Sequence, residues 1–567
     1  MFAVFQIATL VAIAGRSFAH PHESRAATIS PLKLIDDSIA ALGGQNALAS
    51  LNEIIYESAN IFRTSTLMQN YKLLAADRHI VASGSQNLSF SFTNGTFYHR
   101  IDRDFHLSDY FYFGDPILQP RSFSLVMKNG NKDGYACYVK GNNNVFNIPA
   151  QVAGYADSAL TEYLLFQAEK FSPRLLLDIR NHNITADAVD INGVEHFAVH
   201  DPALGIIVIF DSITHYPKII RSFEDHAIFG RTTHDLQLFN YTEVSGIQFP
   251  TRQMVLYNGD AIIEDAVVSK ITVNPDFGSG LFDGLSANET KTQPAPPKMI
   301  PGYSHAEIGE YWYNTLWGGQ YTGTLANLSV TQPAADLPRV HKLLFLDSPS
   351  LEQLVLEFDD SVIVFEAPAH QTDLVIRWIQ EKLKKPITHL WPSHHHHDHN
   401  YEVRKYVELG AQIIVPEISA PLWRQIPNAK LITFRQQLKQ HSEKRPYIHS
   451  DGKMQARFLW RPEADHSVDW TYSIITSACP SANSSIMAYI ADAYSTSTAY
   501  DNAVARNWLK QAMTDGLSRA ALLVKTVIPA HGQPTPLVEL IDALAFDYPG
   551  LRTTDFKTGG KICRRKR

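Results

Sequence analysis

Ser393-His394-His395-His396-His397-Asp398-His399-Asn400 follows directly on a short apolar run, Ile387-Thr388-His389-Leu390-Trp391-Pro392, which reads as the end of a strand. Within it stands the pattern His-x-His-x-Asp-His, formed by His394, His396, Asp398 and His399. Imidazole and carboxylate together suit zinc, iron or manganese rather than a soft thiolate site. Two residues apart on an extended chain, His394 and His396 point the same way. Asp398 and His399, just past the strand, can turn toward a second metal beside the first. A His-rich surface tract that binds metals loosely would also place four His in a row, so the rest of the chain must decide.

Downstream, three more candidate ligands stand near the ends of apolar runs. His466 follows Ala456-Arg457-Phe458-Leu459-Trp460, Asp492 ends Ile486-Met487-Ala488-Tyr489-Ile490-Ala491, and His531 ends the run from Leu522 to Ala530. Ligands gathered from successive strand ends are how an α/β sandwich builds a site at one edge of its sheets.

This ordered set, with Gly532 behind His531, resembles the ligand series of the metallo-β-lactamase fold superfamily of metallohydrolases. The resemblance covers roughly the C-terminal two-fifths of the chain. It departs from the family in carrying Asn400-Tyr401-Glu402 where a Gly pair usually follows the Asp-His, and Ala491 and Ala530 where Gly commonly stands. These changes alter loops and leave the ligand residues intact.

The resemblance implies an α+β or α/β protein whose C-terminal part is an αβ/βα four-layer sandwich. It implies two divalent ions, zinc first, with iron or manganese tolerated. His394, His396 and His466 would hold one ion, Asp398, His399 and His531 the other, and Asp492 would bridge them. A metal-bridging hydroxide would attack an ester, lactone, thioester or similar carbonyl, with Asp398 as the catalytic residue that orients it. The zinc β-lactamases of this fold keep a Cys at the place of Asp492 and lack the His399 ligand, which favours lactonase- and glyoxalase II-like chemistry. A β-lactamase-like amide hydrolase and a non-catalytic metal-binding module stay open as alternatives. A redox role is disfavoured, because flavodiiron oxygen reductases place Glu where His396 stands.

Length and composition bound the rest. At 567 residues the chain exceeds one core, so two or more domains are expected. Hydrophobic residues at 45% and charged residues at 19% describe a folded protein. A net charge of −7 argues against nucleic-acid binding, and the expected partner is a small-molecule substrate. Residues 1–19 read as a secretory signal peptide, apolar from Phe2 to Ala14 and closed by Ser17-Phe18-Ala19. No stretch is long enough for a stable membrane anchor. Seven Asn-x-Ser/Thr sequons, at Asn87, Asn94, Asn183, Asn240, Asn288, Asn327 and Asn483, agree with a secreted glycoprotein. Cys137, Cys479 and Cys563 lack zinc-ligand spacing. Buried thiols are expected in preference to a Cys137–Cys479 bridge.

The first helix is predicted over Pro31–Leu42, stopped by Gly43-Gly44. From Leu51 to about Pro275 the period is two, with one helical interlude from Ala159 to Lys170, which predicts a β-rich N-terminal domain over 28–289. Asp225-His226 and His234-Asp235 fall on opposite strand faces and make no site. Thr290 to Pro297 is Pro-rich and polar, giving a linker over 290–300. The hydrolase-like domain then spans 301–550, ahead of a basic tail at 551–567. Within it a hairpin is predicted over Leu354–Phe365, a helix over Thr372–Leu383, a helix capped by Asn400, and later helices over Ala503–Asp515 and Pro536–Ala545.

Overall fold

The computed structural model describes residues 30–64, 81–107, 122–130, 133–141, 154–286 (except 157 and 260), 288, 304–308, 323–347, 351–435 (except 370), 447–494 (except 462, 463, 465 and 482), 506 and 524–544. The expected signal peptide, the expected linker and basic tail, and nearly all of the helix expected over Ala503–Asp515 lie outside these residues.

The period-two stretch builds one 14-stranded sheet running from Glu53–Thr64 to Lys270–Val273. Each strand pairs antiparallel with its sequence neighbour for most of the sheet, as short turns require. The exception is Glu53–Thr64, which joins Val81–Ser91 on one side to Ala261–Val267 and Lys270–Val273 on the other. The helical interlude is Ser158–Phe171 and packs on Phe123–Lys128 and Tyr135–Lys140. The first helix is Pro31–Ala41, with Ser30 Oγ accepting from Lys33 N at 3.3 Å and Gly43 at φ 122° behind it.

The C-terminal half contains two further sheets. One has seven strands from Leu328–Thr331 to Lys430–Phe434, antiparallel through Val362–Phe365 and parallel through Ile387–Trp391, Gln412–Pro416 and Lys430–Phe434. The other has six strands from Tyr447–Ser450 to Thr535–Pro536. Strand alternation sorts the side chains between two cores. Ile363, Phe365, Trp391 and Ile414 meet Phe458, Tyr472, Ile474 and Tyr489 of the second sheet. Val362, Val364, Leu390 and Ile413 turn the other way, to Val375, Trp378, Tyr406 and Val407 of the helices Thr372–Trp378 and Val403–Glu408. Each such fully buried aliphatic or aromatic side chain contributes about 1.5–3 kcal/mol.

That second core does not stop at the C-terminal half. Ile54, Phe90, Val208 and Phe249 of the large sheet belong to the same contiguous cluster as Val375 and Tyr406. At the joint, Arg404 Nη1 donates to Asp225 Oδ1 at 3.0 Å and to His226 O at 3.2 Å. Gly230 sits against this guanidinium at φ 70°, where an added Cβ would lie 3.3 Å from Nη1.

Three expectations need correction. Asn400 does not cap Val403–Glu408; it is the last residue of a short helix, His397–Asn400, and Glu402 holds the N-cap position. The helix from Thr372 is α-helical only to Trp378 and continues to Leu383 with wider π spacing, ending on Lys384 at φ 54°. Cys137 is a buried thiol, but Cys479 is exposed and disulfide-bonded, so the expectation of thiols at both positions fails.

Candidate metal centre

The strand Ile387–Trp391 ends in Pro392-Ser393, and the backbone then turns into the helix His397–Asn400. His394 and His396 leave the strand end, while Asp398 and His399 leave the helix. Ser393 fixes this exit: its N–H donates to Glu366 Oε2 at 3.0 Å, and its carbonyl accepts from Thr471 N at 2.8 Å and Thr471 Oγ1 at 2.6 Å. The opposite sheet supplies the remainder. His466 lies between Met454–Trp460 and Thr471–Ser477, Asp492 follows Ile486–Ala491, and His531 follows Thr526–Pro529. Ala491 adopts φ 46°, a left-handed conformation costly for a residue with a Cβ, at the bend that delivers Asp492.

All seven expected residues come together, in two groups that share Asp492. In the first, His394, His396, His466 and Asp492 each place a ligand atom within 4.8 Å of the others. His394 Nε2 lies 3.1 Å from His466 Nε2, and Asp492 Oδ2 lies 3.3 Å from His466 Nε2. In the second, His531 Nε2 lies 3.1 Å from Asp398 Oδ2, and His399 Nε2 lies 2.8 Å from Asp492 Oδ1. A tetrahedral ion with bonds near 2.0–2.1 Å sets its ligand atoms roughly 3.3 Å apart, which matches these separations. His396 Nε2, His399 Nε2 and Asp492 Oδ1 are buried without a hydrogen-bond partner. The His399–Asp492 approach is therefore close but misaligned for a hydrogen bond. Buried ligand atoms left without hydrogen bonds in each of the two groups fit divalent ions.

Electrostatics favour the same occupant. Burial pushes His394 and His396 well below the usual imidazole range, and the neighbouring imidazoles add to it, so both rings are neutral ligands. Burial acts to raise Asp398 and Asp492, but His399 and its neighbours outweigh it and hold both carboxyls well below the usual range. His531 moves up to about 9, with burial opposing and Asp492 and Asp398 prevailing. The pair of carboxylates thus calls for positive charge, which metal ions would supply.

Residues around the ligands, missed in the sequence, set their orientation. Ser393 Oγ lies 2.9 Å from His394 Nδ1, leaving Nε2 to face the centre. Glu366 is fully buried at φ 65°, and its Oε1 lies 3.3 Å from His399 Nδ1, in ion-pair range though not aligned as a hydrogen bond. His395 turns away from its neighbours: its Nδ1 lies 2.7 Å from the buried Asp469 Oδ1, which also accepts from Ser467 Oγ at 2.9 Å. The clue to Glu366 was a carboxylate ending the apolar run Val362–Phe365; His395 and Asp469 carried none. Asp398 and His531 are the most exposed of the seven, at 33% and 32% of their side chains, so the centre opens on their side. Asp225 and His234 serve packing instead, Asp225 toward Arg404 and His234 2.8 Å from Lys170 Nζ.

No family model matches the chain, and no curated protein matches it. Among solved structures it is similar to a metallo-β-lactamase from Pontibacter korlensis, at 15% identity and TM-score 0.27 over 39% of this chain and 98% of that one. It is also similar to the metallo-β-lactamase MIM-1 from Novosphingobium pentaromativorans, at 18% identity and TM-score 0.26 over 39% and 83%. A third is a metallo-β-lactamase from Hirschia baltica, at 16% identity and TM-score 0.27 over 40% and 99%. Values this low establish neither family nor activity.

Proposed function

We propose that the chain is a secreted, metal-dependent hydrolase, with residues 301–550 forming a four-layer αβ/βα sandwich of the metallo-β-lactamase kind. The observation that carries this reading is Asp492, whose two oxygens face two separate clusters of imidazole and carboxylate donors. His394, His396 and His466 would hold one divalent ion, and Asp398, His399 and His531 the other, with Asp492 shared. Zinc suits the donor set best, and iron or manganese would also fit. Bound there, the ions would supply Lewis acidity and a water acidic enough to attack near neutral pH.

The chain's own residues do the rest. Asp398 and Asp492 contribute two negative charges against four positive ones, leaving the centre able to stabilise a developing oxyanion. Asp398, ionised and partly exposed, would orient the attacking water and carry a proton to the leaving group. Glu366 and Ser393 hold the imidazoles in the orientation that presents Nε2. No Ser or Cys nucleophile is required. The substrate is a small molecule with an ester, lactone or thioester carbonyl, and secretion rests on the apolar Phe2–Ala14 run and the sequons.

Asp398→Asn tests the role of the carboxylate. Hydrolysis across a panel of lactones, esters and thioesters is expected to fall about 10²–10⁴-fold, with an unchanged circular dichroism spectrum. An unchanged rate would remove Asp398 from the reaction. Metal-loaded protein that cleaves nothing in the panel would leave a binding module of the same fold.

A further inference from the structure

The N-terminal sheet forms a cavity of about 70 Å³ beneath the helix Ser158–Phe171, lined by none of the seven candidate ligands. Gln86 and Leu88, then His99, Ile101 and Arg103, line it as period-two residues of adjacent strands. Met127, Leu164, Val255 and Ile263 complete an apolar wall. A second cavity of about 60 Å³ adjoins it across Phe171.

One polar side chain has no place in such a wall. Gln167, on the helix, is 9% exposed, and neither its Nε2 nor its Oε1 has a hydrogen-bond partner. A buried amide left bare costs about 1–3 kcal/mol, so something should meet it. The two charged side chains of the wall, Arg103 and Glu264, face each other. Arg103 Nε donates to Gln86 Oε1 at 2.7 Å, and Nη2 lies 3.4 Å from Glu264 Oε2. The guanidinium also lies over the rings of Phe105 and Phe123, at 4.6 Å and 5.2 Å. His99 lines the cavity as a neutral ring, with Nδ1 3.0 Å from Ser89 O. The charges of Arg103 and Glu264 offset each other, so an ion would meet no net opposite charge among the described lining residues, whereas a neutral molecule would lose less on leaving water.

We propose that this cavity is a binding site for a small neutral amphiphile: a short alkyl chain ending in a carboxamide, paired with Gln167. A carboxamide offers one donor and one acceptor, which matches the two bare atoms of Gln167 in a two-bond pair. One water needs about 10–15 Å³ of such space, so the cavity admits on the order of five to seven non-hydrogen atoms. Chain growth beyond that would run toward Phe171. The proposal does not depend on the metal reading.

Calorimetric titration of the full chain with pentanamide and with pentanoate, seven non-hydrogen atoms each, tests it. Pentanamide is expected to bind saturably, and pentanoate at least tenfold more weakly, because the wall offers it no net opposite charge. Gln167→Leu is expected to weaken pentanamide binding at least tenfold with unchanged metal content. Gln167→Met serves if the first variant does not fold. The assignment is overturned by absent saturation with pentanamide, by equal or tighter binding of pentanoate, or by folded variants that bind pentanamide as before; water would then be what Gln167 meets.

Discussion

At the scale of single residues, the candidate metal centre depends on side chains outside the seven candidate ligands. Glu366 is the clearest. It is fully buried, adopts φ 65°, accepts from Ser393 N and lies beside His399 Nδ1. A left-handed conformation at a non-glycine position costs about 1–2 kcal/mol, and such strain persists where surrounding structure requires it. Glu366→Ala is expected to weaken metal binding about 10–100-fold, read by competition with a chelator, because both the strand exit and the His399 ring lose their anchor. Unchanged affinity would show that Ser393 and Thr471 suffice. The ligand types were legible in the sequence because four of them sit within six residues and the other three end apolar runs. Glu366 also ends an apolar run, but its partner Ser393 lies 27 residues away, so no local spacing assigned it a role. Nor could the run of His say which rings face inward; only the fold turns His395 to Asp469.

At the scale of elements, the helix Ser158–Phe171 shows what amphipathic spacing reveals and what it hides. Its apolar positions predicted its existence and nearly its ends, but not that it would bury charged groups. Burial raises Glu169 to about 7, with Asp178 and Glu162 adding to it and the Asn129 amide and His182 opposing. The folded carboxyl therefore binds its proton more tightly than the unfolded one, whose ordinary value is near 4.5. Folding is penalised as pH rises from about 4.5 through 7, and the penalty is complete above 7. Glu169→Gln keeps an acceptor for Asn129, so it is expected to raise Tm by a few degrees at pH 8 and to leave it unchanged near pH 4.5. Equal shifts at both pH values would contradict the burial of an ionised group there. Strand pairing in the same region was readable as alternation, whereas the order of the strands was not. That Glu53–Thr64 meets strands more than 200 residues later is a long-range pairing that no local pattern encodes.

At the scale of the whole molecule, the two halves are not independent bodies. One apolar cluster runs from the large sheet into the helices beneath the metal half. Tyr401, just after the ligand helix, is 1% exposed and packs in the cluster that contains Leu160, Leu164 and Ala168 of the helix Ser158–Phe171. Tyr401 thus becomes a plug into the N-terminal half. Tyr401→Ala is expected to destabilise the protein by about 3–5 kcal/mol and to lower metal occupancy in the fraction that stays folded. Full occupancy would separate the plug from the centre. The linker expected over 290–300 lies outside the described residues, and the shared core argues that the two halves fold together. Composition does not show which apolar faces will meet across 200 residues, so this part of the architecture became readable only in three dimensions.

The central claim is that Asp492 joins two metal positions in one site, and metal content per chain, measured on native protein beside Asp492→Ala, tests it most directly. Close to two divalent ions per chain, falling sharply in the variant while the fold is kept, is the expected result. Well under one ion per chain in the native protein, or a content unmoved by Asp492→Ala, would contradict it.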